Sequence, residues 1–529
     1  MRYLPYIFSV VISLLLLVLG VLDSGTWLIP LPLTAGLALL GTWDLFQKKH
    51  SLLRNYPISA HIRYLIESFR PELRQYLLES ETDGMPFPRV QRALVYQRAK
   101  GVNDKIPFGT QLDATAKGYE WLNPSVVPAI NTGGGFRINI GNEQCGQPYN
   151  ASVLNISAMS FGSLSGAAIR ALNKAAHMGG FAHDTGEGGI STHHRLHGGD
   201  LIWEIGSGYF GCRDDQGNFC ADLFAAQALE PQVKMVEIKL SQGAKPGHGG
   251  ILPGAKVTAE IAAARHVPMG QDCISPSAHS AFSTPVELMA FIARLRELSG
   301  GKPVGFKMCI GHGWEFMALC KAMLQTGIYP DFIVIDGAEG GTGAAPLELT
   351  NHVGTPLREG LIFAHNVLTG SGLRPHIKLG ASGKITSGFD MVATIAVGAD
   401  WCNSARGFMF SLGCIQSRSC HTDHCPTGVA TQNPGRARAL VVPEKAERAW
   451  RYHQATLEAL AEVLASGGLA HPSELRPVHI SRRMDTQKVH TLDQVYDFLK
   501  PGELLEGTDN PAFKSQWALA RADSFRVAD

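Results

Sequence analysis

The sequence predicts an α/β protein whose centre is a (β/α)8 TIM barrel spanning residues 151–435. From residue 151 onward, short apolar runs alternate with helix-like segments, a pattern typical of parallel strands joined by helical crossovers. Eight such runs are present, which favours a closed barrel over an open doubly wound sheet. The chain also contains 58 glycines without a regular period, as expected where many tight turns follow strands.

Composition and charge divide the rest of the chain. The 529 residues carry a formal net charge of +1, so no large basic face for nucleic acid is expected. The predicted regions are a transmembrane hairpin at 1–50, a cap at 51–150, the barrel at 151–435 and a helical extension at 436–529.

The N-terminal region resembles a membrane anchor. Residues 6–22 and 27–43 contain no charged side chain, and each is close to the length that crosses a bilayer. Arg2 precedes the first run, Asp23 lies between the runs, and Lys48 follows the second. This charge distribution predicts a hairpin in the cytoplasmic membrane with both ends, and the barrel, on the cytoplasmic side. A cleaved signal peptide is the alternative.

The regions on either side of the barrel are predicted to be largely helical. In the cap, helices are expected at 58–78 and 89–100, followed by proline-rich connections. In the C-terminal extension, a helix begins near residue 443 and has an apolar stripe that indicates packing.

Eight barrel strands are predicted, at 153–160, 181–186, 235–240, 272–275, 304–308, 332–337, 376–381 and 401–405. Helices are expected between most of them. Because the sites of such barrels form at the carboxyl ends of the strands, the residues that follow each strand are the candidates for chemistry.

Small and polar residues follow the last three predicted strands. They are Asp336, Gly337, Gly340, Gly341, Thr342 and Gly343 after the sixth, Gly380, Ser382 and Gly383 after the seventh, and Arg406 and Gly407 after the eighth. Such residues let backbone N–H groups converge on a phosphate, and barrels often bind one after strands seven and eight. The pattern predicts a flavin mononucleotide (FMN) or a sugar phosphate.

Three cationic residues and one amide, Gln242, complete this set of candidate site residues. Lys307 ends the fifth strand among apolar residues, where it can stabilise negative charge on a reduced flavin; a surface lysine is the alternative. Gln242 and Lys245 lie in the glycine-rich loop after the third predicted strand. Arg265 can pair with a substrate carboxylate, although a solvated arginine at a helix end would look the same.

Three cysteines lie within twelve residues after the last strand. Cys414, Cys420 and Cys425 are followed by Pro426, and clustered thiolates closed by Cys-Pro are typical of iron–sulfur ligation. Zinc, with His421 or His424 as fourth ligand, is an alternative, as are ordinary buried thiols or a local disulfide.

These segments resemble the synthase domain of glutamate synthases. The resemblance is carried by residues 185–189, 239–254, 274–276, 336–346 and, above all, 414–432. It implies an FMN-binding barrel with a [3Fe-4S] cluster held by Cys414, Cys420 and Cys425.

The same resemblance implies the roles of individual residues. Glu187, Lys245 and Arg265 would form the catalytic site for 2-oxoglutarate and 2-iminoglutarate. FMN would contact Ala158, Met159, Ser160, Gln242, Lys307 and the residues after the last three strands. Electrons would pass from the cluster to FMN, and a hydride would reduce the imine to glutamate, as in an oxidoreductase acting on CH–NH2 donors.

The chain departs from complete glutamate synthases in two respects. No segment resembles their glutaminase domain, and Gly133–Gly135 lack the setting of a dinucleotide-binding fingerprint. Ammonia or an amine would therefore come from outside, for example from a separate amidotransferase. Electrons would come from a ferredoxin-like or membrane-associated donor. The alternatives are another FMN-dependent barrel oxidoreductase and a non-catalytic membrane-bound electron-transfer subunit.

Overall fold

The computed structural model describes residues 2–527 and divides into two compact units, Met1–Pro86 and Phe87–Asp529. The division falls after Pro86 rather than at residues 50 and 150. The region predicted as one cap, 51–150, is therefore shared between the two units.

The first unit is helical. It contains α1 (Leu4–Leu22), α2 (Leu31–Phe46), α3 (Ser51–Asn55) and α4 (Ser59–Leu73), and α4 continues as a π-helical turn at Arg74–Leu78. The segments Leu4–Leu22 and Gly25–Phe46 are long and apolar enough to cross a membrane, and 11% of each is buried. By length and composition, both predicted segments could therefore cross a membrane.

Among its described residues, the second unit contains fifteen strands and sixteen further α-helices. The strands are β1 (Glu120–Leu122), β2 (Arg137–Ile140), β3 (Tyr149–Ser152), β4 (Leu154–Ile156), β5 (His183–Asp184), β6 (Leu201–Ile205), β7 (Val233–Lys239), β8 (Ile251–Leu252), β9 (Cys273–Ile274), β10 (Val304–Met308), β11 (Phe332–Asp336), β12 (Lys378–Ser382), β13 (Trp401–Ser404), β14 (Ile480–Arg483) and β15 (Val489–Thr491). The helices are α5 (Arg89–Lys100), α6 (Gly166–Gly179), α7 (Thr192–Arg195), α8 (Ala221–Ala228), α9 (Ala259–Arg265), α10 (Pro285–Leu298), α11 (Gly313–Thr326), α12 (Leu347–His352), α13 (Leu357–Gly370), α14 (Gly388–Ile395), α15 (Arg406–Ser411), α16 (Pro434–Ala437), α17 (Val442–Ser466), α18 (Leu492–Val495), α19 (Glu503–Glu506) and α20 (Pro511–Leu519).

The eight parallel strands β4, β5, β6, β7, β10, β11, β12 and β13 close into a barrel in that order. Closure occurs where Cys402 of β13 pairs with Leu154 of β4. Their Val, Ile, Leu, Phe and Trp side chains are buried in one continuous core, because the covering helices leave no strand face open to water. The predicted fold class is confirmed.

One strand was missed in the sequence and another was assigned wrongly. The third barrel strand is β6, Leu201–Ile205, for which no strand was predicted. The run at 235–240 is therefore the fourth strand, β7. The segment at 272–275 contains β9, which pairs antiparallel with β8 outside the barrel. A charged residue, Glu204, interrupts the apolar run of β6 and hides its strand pattern.

The C-terminal extension packs on the barrel. The long helix α17 contacts α5, α6 and α14, and β14 pairs with β1 on one side and β15 on the other. The segment that precedes the barrel in sequence and the segment that follows it therefore share one sheet. This arrangement leaves the carboxyl ends of the strands as the place where a site can form.

Close strand packing makes a direct prediction about Gly305 of β10. A Cβ atom at this position would overlap the backbone carbonyl oxygen of Phe332 on the neighbouring β11, which cannot rotate away. We expect Gly305→Ala to lower the free energy of unfolding by ~2–3 kcal/mol, the usual cost of overpacking a core. Urea denaturation followed by circular dichroism measures this change.

Gly135→Ala is the matched control. Its added methyl group would meet no atom within 4 Å, so a change within ~0.5 kcal/mol is expected. Equal stability of the two variants would contradict the described register of β10 against β11.

Candidate active site

A cavity of about 460 Å3 lies at the carboxyl ends of the barrel strands. This volume is within the range of cofactor and substrate sites. Most residues predicted from the sequence line it: Ala158, Met159, Ser160, Glu187, Gln242, Lys245, Arg265, Lys307, Asp336, Gly340, Gly341, Thr342, Gly343, Ser382, Gly383, Arg406 and Cys420. The structure thus brings together loops that are far apart in sequence.

Three predicted glycines are not among the residues that line this cavity. A Cβ atom on Gly380 would overlap the ring of Trp401, and one on Gly407 would overlap the hydroxyl of Tyr452. A Cβ atom on Gly337 would collide with Glu339 and Leu357. These positions are small because neighbouring side chains pack against them, which a glycine in the sequence does not reveal.

One end of the cavity has the character of a phosphate cradle. Gly341 approaches the Arg406 guanidinium so closely that an added Cβ atom would lie 3.0 Å from its Nε. Arg406 Nη2 donates a 2.8 Å hydrogen bond to the carbonyl of Thr342. Gly383 lines the same cavity, and its other side packs against Leu357, 3.0 Å from where a Cβ atom would lie. Small residues around one fixed guanidinium fit a phosphate group.

The interior of the barrel holds a buried charge network centred on Lys307. This lysine, which is 4% exposed, forms an ion pair with Glu204 of β6 and lies 3.1 Å from Glu237 Oε1 of β7. Asp184 and Asp336, at the ends of β5 and β11, also act on its charge. Lys307 is therefore not a surface lysine. Its ammonium group lines the cavity from below.

Bound protons offset part of the negative charge of this network. Burial alone would lower the pKa of Lys307, but the surrounding carboxylates, Glu204 foremost, hold it well above its ordinary value. Burial raises the pKa of Glu237 from 4.5 to about 7, although Lys307 opposes the rise. Burial, followed by the neighbouring Glu237 and Glu204, raises the pKa of Asp184 well above its usual range. At neutral pH, part of the network is protonated.

At the cavity mouth, a group of three cationic side chains surrounds the Glu187 carboxylate. Its carboxylate lies 3.0 Å from Lys239 Nζ. Burial would raise the pKa of Glu187, but Lys239 foremost, and then Lys245 and Arg265, hold it below its ordinary value. Burial lowers the pKa of Lys245, against the opposing effect of Glu187. Three cations around one carboxylate leave a positive excess, which suits a dianionic substrate.

Arg265 is buried and incompletely paired. It is 6% exposed, its Nη2 donates a 3.1 Å hydrogen bond to the carbonyl of Phe161, and its guanidinium lies 5.2 Å from the ring centre of Phe210. Within the described part of the chain, its Nε has no hydrogen-bond partner. A buried donor without a partner is costly, and a carboxylate in the cavity would satisfy it. The alternative of a solvated arginine is wrong.

The cysteine loop lies against the first barrel loop. Ser165 Oγ donates to the carbonyl of Gly428 at 2.7 Å, and Gln432 Nε2 donates to the carbonyl of Leu164 at 2.9 Å. Cys420 lines the cavity itself. All ten cysteines are free thiols, so the described residues contain no local disulfide. Three thiols are therefore available beside the cavity.

Hydrogen bonds lower the pKa of one of these thiols, and a lower pKa favours the thiolate that binds metals. Burial raises the pKa of Cys425, but hydrogen bonds from the Thr427 hydroxyl and from the backbone of Thr427, Ala430 and Val429 outweigh it and lower the pKa below its ordinary value. Burial raises the pKa of Cys414, and the nearby Cys420 and Cys425 add to the rise.

The sequence interpretation missed Glu204, which pairs with Lys307. Lys239, the last residue of β7, begins the segment 239–254 that the sequence interpretation singled out, and the structure adds its contact with Glu187. Glu204 could only have been found together with β6.

Comparison with known protein families identifies relatives over most of the chain. A family model described as "Conserved region in glutamate synthase" matches residues 138–470. The glutamate synthase large subunit-like protein YerD of Bacillus subtilis is 35% identical over 527 residues, covering 92% of this chain and 98% of YerD. An archaeal-type glutamate synthase (NADPH) of Thermotoga neapolitana is 35% identical over 321 residues, covering 60% of each chain.

Solved structures that match the chain include a mandelate oxidase and a flavocytochrome b2. A mandelate oxidase mutant, solved with a monooxide FMN adduct, matches with a TM-score of 0.41 and 13% identity, over 82% of this chain and 99% of that chain. A flavocytochrome b2 mutant with pyruvate bound matches with a TM-score of 0.40 and 10% identity, over 83% and 92% of the two chains. The family assignment rests on the sequence comparisons.

The protonation of Glu237 predicts a pH dependence of stability. In the unfolded chain this carboxyl has its ordinary pKa of 4.5, and in the folded chain the pKa is about 7. The folded state therefore binds more protons between these values, so the free energy of unfolding falls as pH rises, by up to ~3 kcal/mol. Glu237→Gln cannot titrate and should lose this fall. Urea unfolding at a series of pH values from 5 to 8 measures the difference between the variant and the unmodified protein.

Glu458→Gln serves as control, because this side chain is exposed and should leave the pH profile unchanged. Parallel pH profiles for Glu237→Gln and the unmodified protein would show that Glu237 is ionised throughout, against the described network.

Proposed function

The chain belongs to the glutamate synthase family, and on this premise we propose that it is a membrane-anchored oxidoreductase that uses FMN and an iron–sulfur cluster. Its reaction is the reduction of 2-iminoglutarate, formed from 2-oxoglutarate and ammonia or an amine, to glutamate or a related product. The observation that carries this proposal is the cationic group of Lys239, Lys245 and Arg265 around Glu187, in the same cavity as the phosphate cradle.

The residues around the cavity fit FMN. Gly341, Gly383 and Arg406 would hold its phosphate, and Gln242 and Lys307 would lie against the flavin ring. Bound FMN would supply the hydride that reduces the imine carbon. The ammonium group of Lys307 keeps its proton because of the buried carboxylates, and it stabilises negative charge that develops above it in the cavity.

The cationic group binds and orients the substrate. Lys245 and the unpartnered Nε of Arg265 would pair with the two carboxylates of 2-iminoglutarate. The Glu187 carboxylate remains ionised, because the neighbouring cations lower its pKa. It would therefore accept a hydrogen bond from the imine N–H and hold the imine in its protonated form, which accepts a hydride more readily.

Cys414, Cys420 and Cys425 would hold a [3Fe-4S] cluster, which would supply single-electron transfer when bound. The electron donor would be a ferredoxin-like or membrane-associated carrier. Ammonia or the amine would be supplied from outside the chain, for example by a separate amidotransferase. The segments Leu4–Leu22 and Gly25–Phe46 would anchor the protein in the cytoplasmic membrane with the barrel on the cytoplasmic side.

Anaerobic reoxidation of the reduced protein tests the reaction. The purified protein should contain flavin and, once reduced by dithionite, should be reoxidised by 2-oxoglutarate together with ammonium, with glutamate as product. Lys245→Gln loses one charge-assisted hydrogen bond, worth ~1.5–3 kcal/mol, so the concentration of 2-oxoglutarate needed for half-maximal reoxidation should rise about 10- to 100-fold. Stopped-flow absorbance of the flavin measures both effects.

Lys174→Gln, a change on the covering helix α6, is the control and should leave this concentration unchanged. Full flavin content without any reoxidation by the substrate pair would exclude glutamate formation and leave an electron-transfer role.

Cys420→Ser tests the cluster ligands. Loss of one of three thiolates should remove most of the iron and the visible absorbance of the cluster, because a serine hydroxyl is a poor ligand for it. Cys220→Ser changes a cysteine outside the loop and should retain iron at the level of the unmodified protein. Iron and acid-labile sulfide analysis gives the readout, and unchanged iron in Cys420→Ser would refute the proposed ligand set.

A further inference from the structure

The helix α4 and its π-helical continuation carry an apolar stripe that faces solvent. Its members recur every three or four residues, which places them on one face of the helix. They are Ile62, Leu65, Ile66, Phe69, Leu73, Tyr76 and Leu77. Leu65 is 57% exposed, Phe69 55% and Leu77 73%. A contiguous apolar surface of this length marks an interaction site, because water contact with it is unfavourable.

The start of α4 is fixed to the end of α2. Asp44, in the last turn of α2, is fully buried although it is an acid. Its Oδ2 accepts a 2.9 Å hydrogen bond from the backbone N–H of Ile58, the residue before α4. Its Oδ1 lies 2.9 Å from His61 Nε2 in the first turn of α4. A Cβ atom on Gly41 of α2 would lie only 3.1 Å from the Ile58 side chain, so the two residues pack closely.

This connection fixes the depth of α4 relative to α2. If α2 crosses the bilayer, its last turn lies at the boundary between acyl chains and headgroups, and α4 begins at that boundary. A helix with an apolar stripe on one side and charges on the other is stable in the plane of such a boundary.

The charges of α4 match the chemistry of that boundary. Arg63, Arg70 and Arg74 follow one another at spacings of seven and four residues, so they lie along a single flank of the apolar stripe. Arg63 also pairs with Glu67 at 2.9 Å on the polar side. Lys48, Lys49 and Arg54 precede the helix. Long cationic side chains beside an apolar stripe extend toward lipid phosphates.

We propose that α4 lies in the interface of the membrane that α1 and α2 cross, with the stripe from Ile62 to Leu77 in the acyl boundary and the arginine flank on phosphates of anionic lipids. This inference rests on the proposed membrane anchorage and goes beyond it. The lipid surface is favoured over a protein partner, because Asp44 fixes the start of α4 to the end of a membrane-crossing helix.

Site-specific crosslinking in vesicles tests the inference. The full-length protein is reconstituted in phosphatidylethanolamine–phosphatidylglycerol vesicles with one p-benzoylphenylalanine, in place of Phe69 on the stripe, Tyr64 on the opposite face, or Leu14 in α1. After illumination, mass spectrometry identifies the adducts. We expect lipid adducts at positions 69 and 14 and none at position 64.

Each other outcome overturns a defined statement. Lipid adducts at position 14 without any at position 69 would refute the interfacial helix and leave the anchor intact. Protein adducts at position 69 would show that a partner or a second copy covers the stripe. Absence of lipid adducts at position 14 would refute the anchor itself, independently of any enzyme activity.

Limited trypsin digestion provides a second measurement. In vesicles, trypsin cleavage after Arg74 should increase several-fold in the double variant Leu65→Glu and Phe69→Glu, because charged residues cannot remain in the acyl boundary. The double variant Tyr64→Glu and Ser68→Glu adds the same charges to the opposite face and should be cleaved like the unmodified protein. Both variants retain α1 and α2 unchanged. Equal cleavage of all three proteins would contradict the proposal.

Discussion

The position of Lys307 in the centre of the barrel is the constraint on which the site depends. Four carboxylates, those of Asp184, Glu204, Glu237 and Asp336, come from four different strands. The first three are buried, and Asp336 is half-buried at the cavity. A charge in such a place is tolerated only when it is paired or neutralised. One lysine and bound protons meet that requirement together, so the strands can close tightly although their inner face is polar.

Because of this network, the two ends of the cavity differ in net charge. Beneath the cavity, the carboxylates and Lys307 nearly cancel one another once part of them is protonated. At the mouth, Glu187 is outnumbered by cations, and Arg265 retains a donor without a partner. A negatively charged ligand is therefore attracted to the mouth, whereas the interior carries little net charge while part of it is protonated.

The sequence was sufficient for the fold class, because the alternation of apolar runs with helical segments is repeated along the whole barrel. It was insufficient for β6, whose five residues include Glu204, since a buried charge inside a strand is recognisable only from its partner Lys307. The residues that line the cavity were largely predicted. Gly380 and Gly407 were included with them, because a sequence does not distinguish a glycine that admits a ligand from one that admits a neighbouring side chain. Burial of Arg265 was likewise a property of tertiary packing alone.

The loop after β4 is shared by two parts of the site. Its Leu164 carbonyl is held by Gln432 of the cysteine loop, and its Phe161 carbonyl accepts a hydrogen bond from Arg265. The conformation of the thiol loop and the position of the Arg265 side chain therefore both depend on this one loop. A ligand held by the thiols and an anion in the cavity would influence each other's affinity through it, and such coupling would be reciprocal.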